Sequence, residues 1–209
     1  MSTIWQEISR FGKKLVEYGL VESHFGNISV RTGDGMLITR SGSALDEIDR
    51  DSVVKVSIEG TSSMDLIASS EAIVHRAIYK NTSALAIIHA HCPFSVIESL
   101  IEDSQVVPAD SEGLYFLHEI PIVTGGIGTL ELAENAASSL REHKGTIIRG
   151  HGTIAIGMLL EEAYVVTTQV EHSCMVKYHL DLFNAVSSTS NIRIDAGGVN
   201  ECKERGCGR

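Results

Sequence analysis

Basic side chains are scarce in this sequence. Lys and Arg together number 17 against 27 Asp and Glu, and the formal net charge is −10 at pH 7. An excess of negative charge repels nucleic-acid phosphates and anionic lipid headgroups, so we expect neither nucleic acid nor a membrane surface as partner. No run approaches the ~20 consecutive apolar residues of a membrane span. An anionic small molecule would need a local nest of hydrogen-bond donors rather than a global positive field.

Cysteine is also sparse, and the spacing of the cysteines does not match a disulfide framework or a C-x-x-C motif. The four residues Cys92, Cys174, Cys202 and Cys207 form no C-x-x-C pair and no evident disulfide set. Residues 1–20 have an amphipathic pattern rather than that of a signal peptide. We therefore expect a reducing, cytoplasmic location. Cys202 and Cys207 lie in a polar, glycine-rich tail and are interpreted as incidental rather than as a metal site.

The remaining composition is that of an ordinary globular protein. The chain has 209 residues, of which 43% are hydrophobic and 21% charged. That length suits one well-buried domain. We predict a single domain over residues 1–186, followed by a polar tail over 187–209 that is expected to be mobile.

Hydrophobic periodicity and turn signals predict alternating helices and short strands. The predicted helices cover residues 3–18, 69–80, 93–101, 129–143 and 160–184. The predicted strands cover residues 27–31, 36–39, 53–58, 84–90, 120–123, 146–149 and 153–157, and residues 102–118 are expected to be irregular. Short turns join many strands, which favours an α/β fold with three layers, α/β/α, around a central and mainly antiparallel sheet.

The stretch at residues 84–93, ALAIIHAHCP, is the most informative part of the sequence. It predicts a buried strand with a polar tip, on which His89 and His91 share one face about 7 Å apart. His151 lies between two further apolar runs. Three neutral imidazoles with one open position are typical of catalytic zinc. A single histidine at a strand end is, however, more often a structural residue.

A carboxylate and three donor-rich spots accompany the histidines. Glu71 follows Ser69-Ser70 at a predicted helix start, where it is either a metal ligand and proton carrier or simply a carboxylate favoured by the helix dipole. Gly26-Asn27, Ser41-Gly42 and Ser69-Ser70 offer backbone and side-chain donors that together suit a phosphate. Each of these spots alone is more often a turn or a cap.

Taken in order, these motifs resemble the class II aldolase/adducin family. They are G-N-x-S-x-R at 26–31, S-G at 41–42, S-S-E-x-x-x-H at 69–75, H-x-H at 89–91 and G-H-G at 150–152. The resemblance runs from about residue 4 to 184 and is strongest to the fuculose-1-phosphate aldolase branch. It implies the α/β/α fold and a cyclic homotetramer with active sites at subunit interfaces.

The resemblance also implies site residues and a reaction. It implies one Zn²⁺ per subunit on His89, His91 and His151, with Glu71 as ligand and proton carrier. The implied phosphate site consists of Asn27, Ser41, Gly42, Ser69 and Ser70. The implied activity is that of a lyase. It cleaves a ketose 1-phosphate such as L-fuculose 1-phosphate to dihydroxyacetone phosphate and a short aldehyde such as lactaldehyde.

Three departures from the family pattern bear on the substrate. His24 replaces a threonine, and Arg40 replaces a proline. The family's catalytic tyrosine, donated by a neighbouring subunit, falls in residues 108–116, where Tyr115 is offset and Glu112 or Asp110 are alternatives. The substrate could therefore differ from fuculose 1-phosphate.

Other functions stay open at this point. Within the same family these are a methylthioribulose-1-phosphate dehydratase and a pentulose-phosphate 4-epimerase. The epimerase branch carries aspartate where this chain has Glu71. A third possibility is a non-catalytic scaffold like the adducin head, against which the presence of all three histidines argues.

Overall fold

The computed structural model describes residues 3–187, 192–195 and 198–201. The α-helices of this part are α1 Ile4–Glu17, α2 Ala72–Asn81, α3 Pro93–Ile101, α4 Ser111–Phe116, α5 Leu130–Ser139 and α6 Leu160–Ser187. The strands are β1 Asn27–Thr32, β2 Gly35–Thr39, β3 Val53–Ser57, β4 Ala86–Ala90, β5 Gln105–Val106, β6 Ile120–Val123, β7 Gly145–Ile148, β8 Gly152–Gly157, β9 Ile192–Asp195 and β10 Gly198–Glu201.

Strands β1 to β8 form one mixed sheet in the order β3-β2-β1-β4-β8-β7-β6-β5. Its pairings are antiparallel except for β6 and β7, which are parallel and are joined by the crossover helix α5. The predicted α/β class and mainly antiparallel sheet are confirmed. The connection over residues 124–144 has the length of about a dozen or more residues that a parallel pair requires, whereas tight turns join the antiparallel pairs β1–β2 and β7–β8.

Successive side chains of β4 point to opposite faces of the sheet and enter different clusters of the core. Ile87 belongs to the cluster beneath α2 and α5, whereas Ile88 packs in the cluster beneath α1. Both side chains are fully buried, and each such burial stabilises the fold by roughly 1.5–3 kcal/mol. Since side chains alternate, His89 follows Ile87 onto the face that α2 covers.

Several predicted boundaries are corrected by the structure. The segment 102–118 is not wholly irregular, because it contains β5 and α4. Asp110 starts α4 by accepting a hydrogen bond from the Gly113 N–H at 2.7 Å. Glu71, rather than Ser69 or Ser70, is the N-cap residue of α2, while the Ser69 hydroxyl accepts from the Glu71 N–H.

Beyond residue 187, β9 and β10 pair as an antiparallel hairpin. The other residues of the predicted tail, Cys202 and Cys207 among them, lie outside the described residues. Within the described part, every helix is too short or too polar to cross a bilayer.

Candidate active site

The sheet register brings distant residues to one end of β4. Asn27, the first residue of β1, pairs directly with His89 on one side of β4. On the other side His89 pairs with Ile154 of β8, and His151 immediately precedes that strand. Because antiparallel neighbours place the start of one strand beside the end of the next, these residues converge although up to 124 positions separate them.

The three histidines form one compact cluster. Their ring centroids lie 4.9 Å apart for His89 and His91, 4.8 Å for His89 and His151, and 4.6 Å for His91 and His151. One ring nitrogen from each lies within 4.8 Å of the other two. The Nε2 atoms of His89 and His91 are only 3.1 Å apart. Tetrahedral Zn–N bonds of about 2.0–2.1 Å would separate ligand nitrogens by about 3.3 Å, so the cluster fits one metal ion.

A hydrogen bond fixes the tautomer of His89. Its Nδ1 lies 2.9 Å from the Thr153 carbonyl oxygen. A carbonyl only accepts, so Nδ1 carries a proton and donates it to Thr153, which leaves Nε2 facing the cluster. This backbone partner is the usual second contact of a metal-binding imidazole.

Glu71 completes the cluster from the α2 side. Its Oε2 atom lies 3.2 Å from His89 Nε2 and accepts a 2.7 Å hydrogen bond from the Asn27 amide. Its other oxygen, Oε1, is buried without a hydrogen-bond partner among the described residues, as is Nδ1 of His151. Buried polar atoms are normally satisfied, so these two atoms are a further indication that a ligand belongs here.

The protonation states suit a metal. Burial, with His89 and His151 nearby, lowers the pKa of His91 to about 4. Burial likewise lowers the pKa of His151. Burial pushes the pKa of Glu71 upward, but neighbouring His89 and the Asn27 hydrogen bond outweigh it and leave that pKa below its ordinary value. At neutral pH His91 and His151 are therefore neutral and the carboxylate is charged, as metal ligands must be.

Cys92 lies next to the cluster but does not suit a ligand role. The residue is fully buried, and the Thr153 hydroxyl donates to its sulfur at 3.4 Å. Burial strongly raises the pKa of its thiol. A protonated thiol packs as a small apolar group, and Cys92 here precedes Pro93 at the start of α3.

Two loops bring the predicted phosphate residues together. The Ser41 N–H donates to the Ile67 carbonyl at 3.1 Å, and Arg40 bridges to Ala68. The Ser41-Gly42 turn therefore lies against the segment that leads into Ser69 and Ser70. Ser41, Gly42 and Ser70 are exposed, so the hydroxyls of Ser41 and Ser70, unlike the engaged Ser41 N–H, are accessible to a ligand.

The side chains of Asn27 and Arg40 already donate hydrogen bonds to other groups of the protein. Asn27 is buried and commits one amide N–H to Glu71. Arg40 is exposed and donates to the Asp51 carbonyl at 3.1 Å. His24, the other departure, is exposed as well.

Tyr115 lies apart from the histidines within one chain. It is 75% exposed, and its ring packs edge-on against Phe116 at 4.9 Å. Of the two alternatives, Asp110 is engaged as the cap of α4 and also accepts from Gln169. The Glu112 carboxylate accepts from the Ser111 hydroxyl on the surface of the same helix.

Sequence reasoning missed two features of the site. A buried hydrogen-bond chain, His75 Nδ1 to Ser29 Oγ to Tyr79 Oη, lies beneath Glu71 with contacts of 2.7 and 2.8 Å. The i, i+4, i+8 spacing of Glu71, His75 and Tyr79 was its only signal. The second feature is Phe25, whose ring stacks on His91 at 5.5 Å and 29°. No pattern in the sequence marked that contact.

The fold and the histidine–carboxylate cluster define a metal-dependent enzyme of the aldolase type. The family described as "Class II Aldolase and Adducin N-terminal domain" matches residues 6–178. The chain belongs to this family. Its named aldolase relatives are lyases, and the residues predicted from the motifs lie within the matched region.

Individual relatives make the comparison more specific. The chain is 30% identical over 169 residues to the L-fuculose phosphate aldolase of Escherichia coli, covering 76% of this chain and 74% of the relative. It is 33% identical over 159 residues to a 5-methylthioribulose-1-phosphate/5-deoxyribulose-1-phosphate aldolase, also of E. coli, covering 73% of each. The crystal structure of L-fuculose-1-phosphate aldolase from Thermus thermophilus superposes with a TM-score of 0.82 at 34% identity, covering 87% of this chain and 95% of that one.

Proposed function

We propose that the protein is a zinc-dependent aldolase that cleaves a ketose 1-phosphate to dihydroxyacetone phosphate and a short aldehyde. L-Fuculose 1-phosphate, with lactaldehyde as the product, is the reference substrate. The relatives named for fuculose phosphate and for methylthioribulose or deoxyribulose phosphates support a phosphorylated sugar. The single observation that carries the proposal is the convergence of His89, His91 and His151 with the unsatisfied carboxylate of Glu71.

In this proposal the three imidazoles, with Glu71 beside them, hold one Zn²⁺ per chain. Bound there, zinc supplies Lewis-acid stabilisation of the negative charge that develops on the substrate oxygens when the carbon–carbon bond breaks. His89 keeps its lone pair directed inward because Thr153 holds its Nδ1–H.

Glu71 is the proton carrier of the proposed reaction. Its Oε1 has no competing donor among the described residues, and its charged form is favoured at neutral pH. Cleavage leaves a carbanion equivalent on the phosphate-bearing half, and that carbon must gain a proton before release. A carboxylate held at the rim of the cluster by Asn27 can accept the substrate hydroxyl proton and return one to that carbon.

The phosphate group is held, we propose, by Asn27, Ser41, Gly42, Ser69 and Ser70. These residues bring neutral donors and no lysine, which suits a chain whose net charge is −10. Anchoring the phosphate in the two tied loops would fix the scissile bond beside Glu71, and positioning of this kind supplies a large share of enzymatic rate enhancement.

The related deoxyribulose-type phosphates are the second candidate substrate for the same cleavage. The 33% identical relative supports this candidate. The relative that acts on methylthioribulose 1-phosphate also keeps the dehydratase alternative open. Glu71, in place of aspartate, argues against the epimerase, and the intact histidine cluster argues against a scaffold without catalysis. We further propose a cytoplasmic homotetramer in which Tyr115 serves the site of a neighbouring subunit.

A screen of ketose 1-phosphates tests the proposal. Purified protein is incubated with each sugar, and dihydroxyacetone phosphate is detected with a coupled dehydrogenase, with and without chelator. We expect release from at least one sugar, abolished by chelator and restored by Zn²⁺. Turnover that survives complete metal removal would contradict the proposal. So would the absence of dihydroxyacetone phosphate release from every sugar when the protein is loaded with zinc.

A further inference from the structure

Three carboxylates meet between the end of α3 and the middle of α6. Glu98 lies near the end of α3, Glu102 is the C-cap residue of that helix, and Asp181 lies in α6. One oxygen from each carboxylate lies within 4.8 Å of the other two. Oxygens that bind the same Ca²⁺ can lie up to about 4.6–5.2 Å apart, which is twice the metal–oxygen distance. The three carboxylates are therefore close enough to share one cation.

Lys177 of α6 lies among these carboxylates but does not balance their charge. Its Nζ is 2.7 Å from Glu102 and 2.6 Å from Asp181, but 3.6 Å from Oε2 of Glu98. Three carboxylates against one ammonium leave a formal charge of −2. The end of α3 adds to this charge, because the C-terminal end of a helix carries a partial negative charge.

Glu98 is the member of the group that most clearly needs a further partner. Its side chain is 1% exposed, and neither carboxylate oxygen has a hydrogen-bond partner among the described residues. Burial raises the pKa of Glu98 above its ordinary value, and the attraction of Lys177 only partly offsets this effect. A buried carboxylate without hydrogen bonds is costly in free energy. The 3.6 Å contact with Lys177 does not remove that cost.

Glu171, the other buried carboxylate between α3 and α6, is fully satisfied by comparison. It accepts hydrogen bonds of 2.8–2.9 Å from the N–H groups of Phe94 and Ser95 and from the Ser95 hydroxyl. Those donors belong to the start of α3, whereas Glu98 lies near its end, where a helix presents carbonyl oxygens instead of free N–H groups. A cation is therefore a suitable partner for Glu98, and the backbone of α3 cannot supply one.

We propose that Glu98, Glu102 and Asp181 form a second metal site, distinct from the histidine cluster, for a hard divalent cation such as Ca²⁺ or Mg²⁺. The donor set contains only carboxylate oxygens, which suits these ions better than Zn²⁺. Glu102 and Asp181 are partly open to solvent, so an ion can enter while Lys177 swings outward. The bound ion joins α3 to α6, and α3 begins one residue after His91. This inference does not depend on the proposed reaction.

Calcium titration of the zinc-loaded protein tests the site. Zinc keeps the histidine cluster filled, and imidazole is a poor ligand for Ca²⁺. We expect calorimetry to show one Ca²⁺ per chain with a Kd of about 0.1–1 mM. The melting temperature should rise by about 3 °C or more at tenfold excess over Kd. Mg²⁺ is the second arm, and a saturable rise with either ion supports the site, whereas NaCl at equal ionic strength should not reproduce it.

Four variants separate the site from general charge effects. Glu98→Gln and Asp181→Asn each remove a ligand and should weaken binding by about tenfold or more. Asp181 is half exposed, so its variant should fold even if Glu98→Gln does not. Asp103→Asn removes an exposed carboxylate that follows Glu102 but lies outside the group, and it should leave binding unchanged. Lys177→Met removes the competing ammonium and should strengthen binding.

The outcomes distinguish a metal ion from Lys177 as the permanent counter-ion. Saturable binding that is lost in Asp181→Asn and kept in Asp103→Asn establishes the site. A wild-type protein without saturable binding, equal weakening in those two variants, or an equal rise with NaCl would overturn it. If Lys177→Met melts at a lower temperature and neither ion stabilises it, Lys177 is the permanent partner and the proposed site is wrong.

Discussion

At the scale of single residues, the position of Glu71 is the feature from which the chemistry follows. Asn27 holds one of its oxygens at 2.7 Å, and the other is buried without a partner in the described part of the chain. Burial alone would raise the pKa of such a carboxylate, but the surrounding histidines and the amide lower it below its ordinary value. The residue is therefore charged at neutral pH and close enough to the cluster to exchange protons with a ligand there.

Replacing Glu71 by Gln separates metal binding from proton transfer. The amide keeps the size of the side chain but cannot carry a proton, so we expect metal to be partly retained while kcat falls by about 10²–10⁴. Hydrogen exchange between dihydroxyacetone phosphate and D₂O, followed by NMR, should stop in this variant. Exchange at the wild-type rate would contradict the role of Glu71. The matched variant Glu161→Gln, at an exposed position in the first turn of α6, should exchange normally.

Gly26 is the residue whose backbone ties the Phe25 turn to β4. Both Gly26 and Gly33 have positive φ, at +74° and +62°, but a Cβ at Gly33 would meet nothing within 4 Å. Gly33→Ala should therefore cost only the conformational penalty, about 1 kcal/mol. Gly26→Ala adds a clash with the His89 carbonyl and should cost at least about twice as much, with weaker zinc binding. Urea unfolding and zinc titration measure both, and equal losses in the two variants would show that the contact with β4 is unimportant.

At the scale of elements, the start of α3 is held by a carboxylate from α6. Glu171 accepts hydrogen bonds from the backbone N–H of Phe94 and Ser95 and from the Ser95 hydroxyl, each at 2.8–2.9 Å. This helix begins directly after His91 and Cys92. The contact therefore fixes the segment that carries one of the histidines, and it satisfies helix N–H groups that have no partner within the helix.

The pH dependence of stability tests this contact. Burial, partly offset by these hydrogen bonds, raises the pKa of Glu171 above its ordinary value. The folded state then binds the proton more tightly than the unfolded state, so the stabilising contribution is complete below about pH 4.5 and is lost as pH rises through the folded-state pKa. The stability of the wild type relative to Glu171→Gln should thus fall as the pH rises above about 4.5 in urea unfolding. A difference that is flat or rises with pH would contradict this account.

Most helices and strands were predictable from the sequence, and the errors in the prediction have local causes. The 3.6-residue and two-residue periodicities gave α1, α3, α6 and β4 within a few residues of their observed bounds. The helix α4 was missed because only six residues form it, and its signal is the Asp110 cap rather than a repeat. The helix α5 ends at Ser139 rather than near 143.

The sequence predicted which residues belong to the candidate site, but it did not predict how they are arranged in space. Family motifs predicted the histidines, Glu71 and the residues of the proposed phosphate site, and the structure brings the histidines and Glu71 together. The pairing of Asn27 with His89 depends on the register of β1 and β4, which sequence patterns do not specify. For the same reason nothing in the sequence indicated the stacking of Phe25 on His91.

At the scale of the whole molecule, an exposed apolar surface bears on assembly. Leu100 and Ile101 at the end of α3, with Tyr115 and Phe116 on α4, are each at least 60% exposed. Exposed apolar side chains in such numbers are typical of surfaces that contact another protein. The proposed tetramer offers a partner for them, and it would let Tyr115 reach the histidines of a neighbouring chain.

Mixing two inactive variants tests this arrangement. His91→Ala lacks a metal ligand and Tyr115→Phe lacks the phenol, so each homotetramer should be inactive or nearly so. If Tyr115 acts on a neighbouring site, co-refolded mixtures should recover about a quarter of wild-type activity, because one site in four then combines an intact cluster with an intact tyrosine. Light scattering should give four times the 22.6 kDa of one chain. Full activity of Tyr115→Phe alone, or a monomeric mass, would refute the arrangement.

Metal analysis of the purified wild-type protein beside His91→Ala, after extensive dialysis, addresses the central claim most directly. We predict close to one zinc per wild-type chain and almost none in the variant, with both chains folded by circular dichroism. A wild-type chain that keeps no divalent metal after zinc loading, or equal metal content in the two proteins, would show that these imidazoles do not form a metal centre.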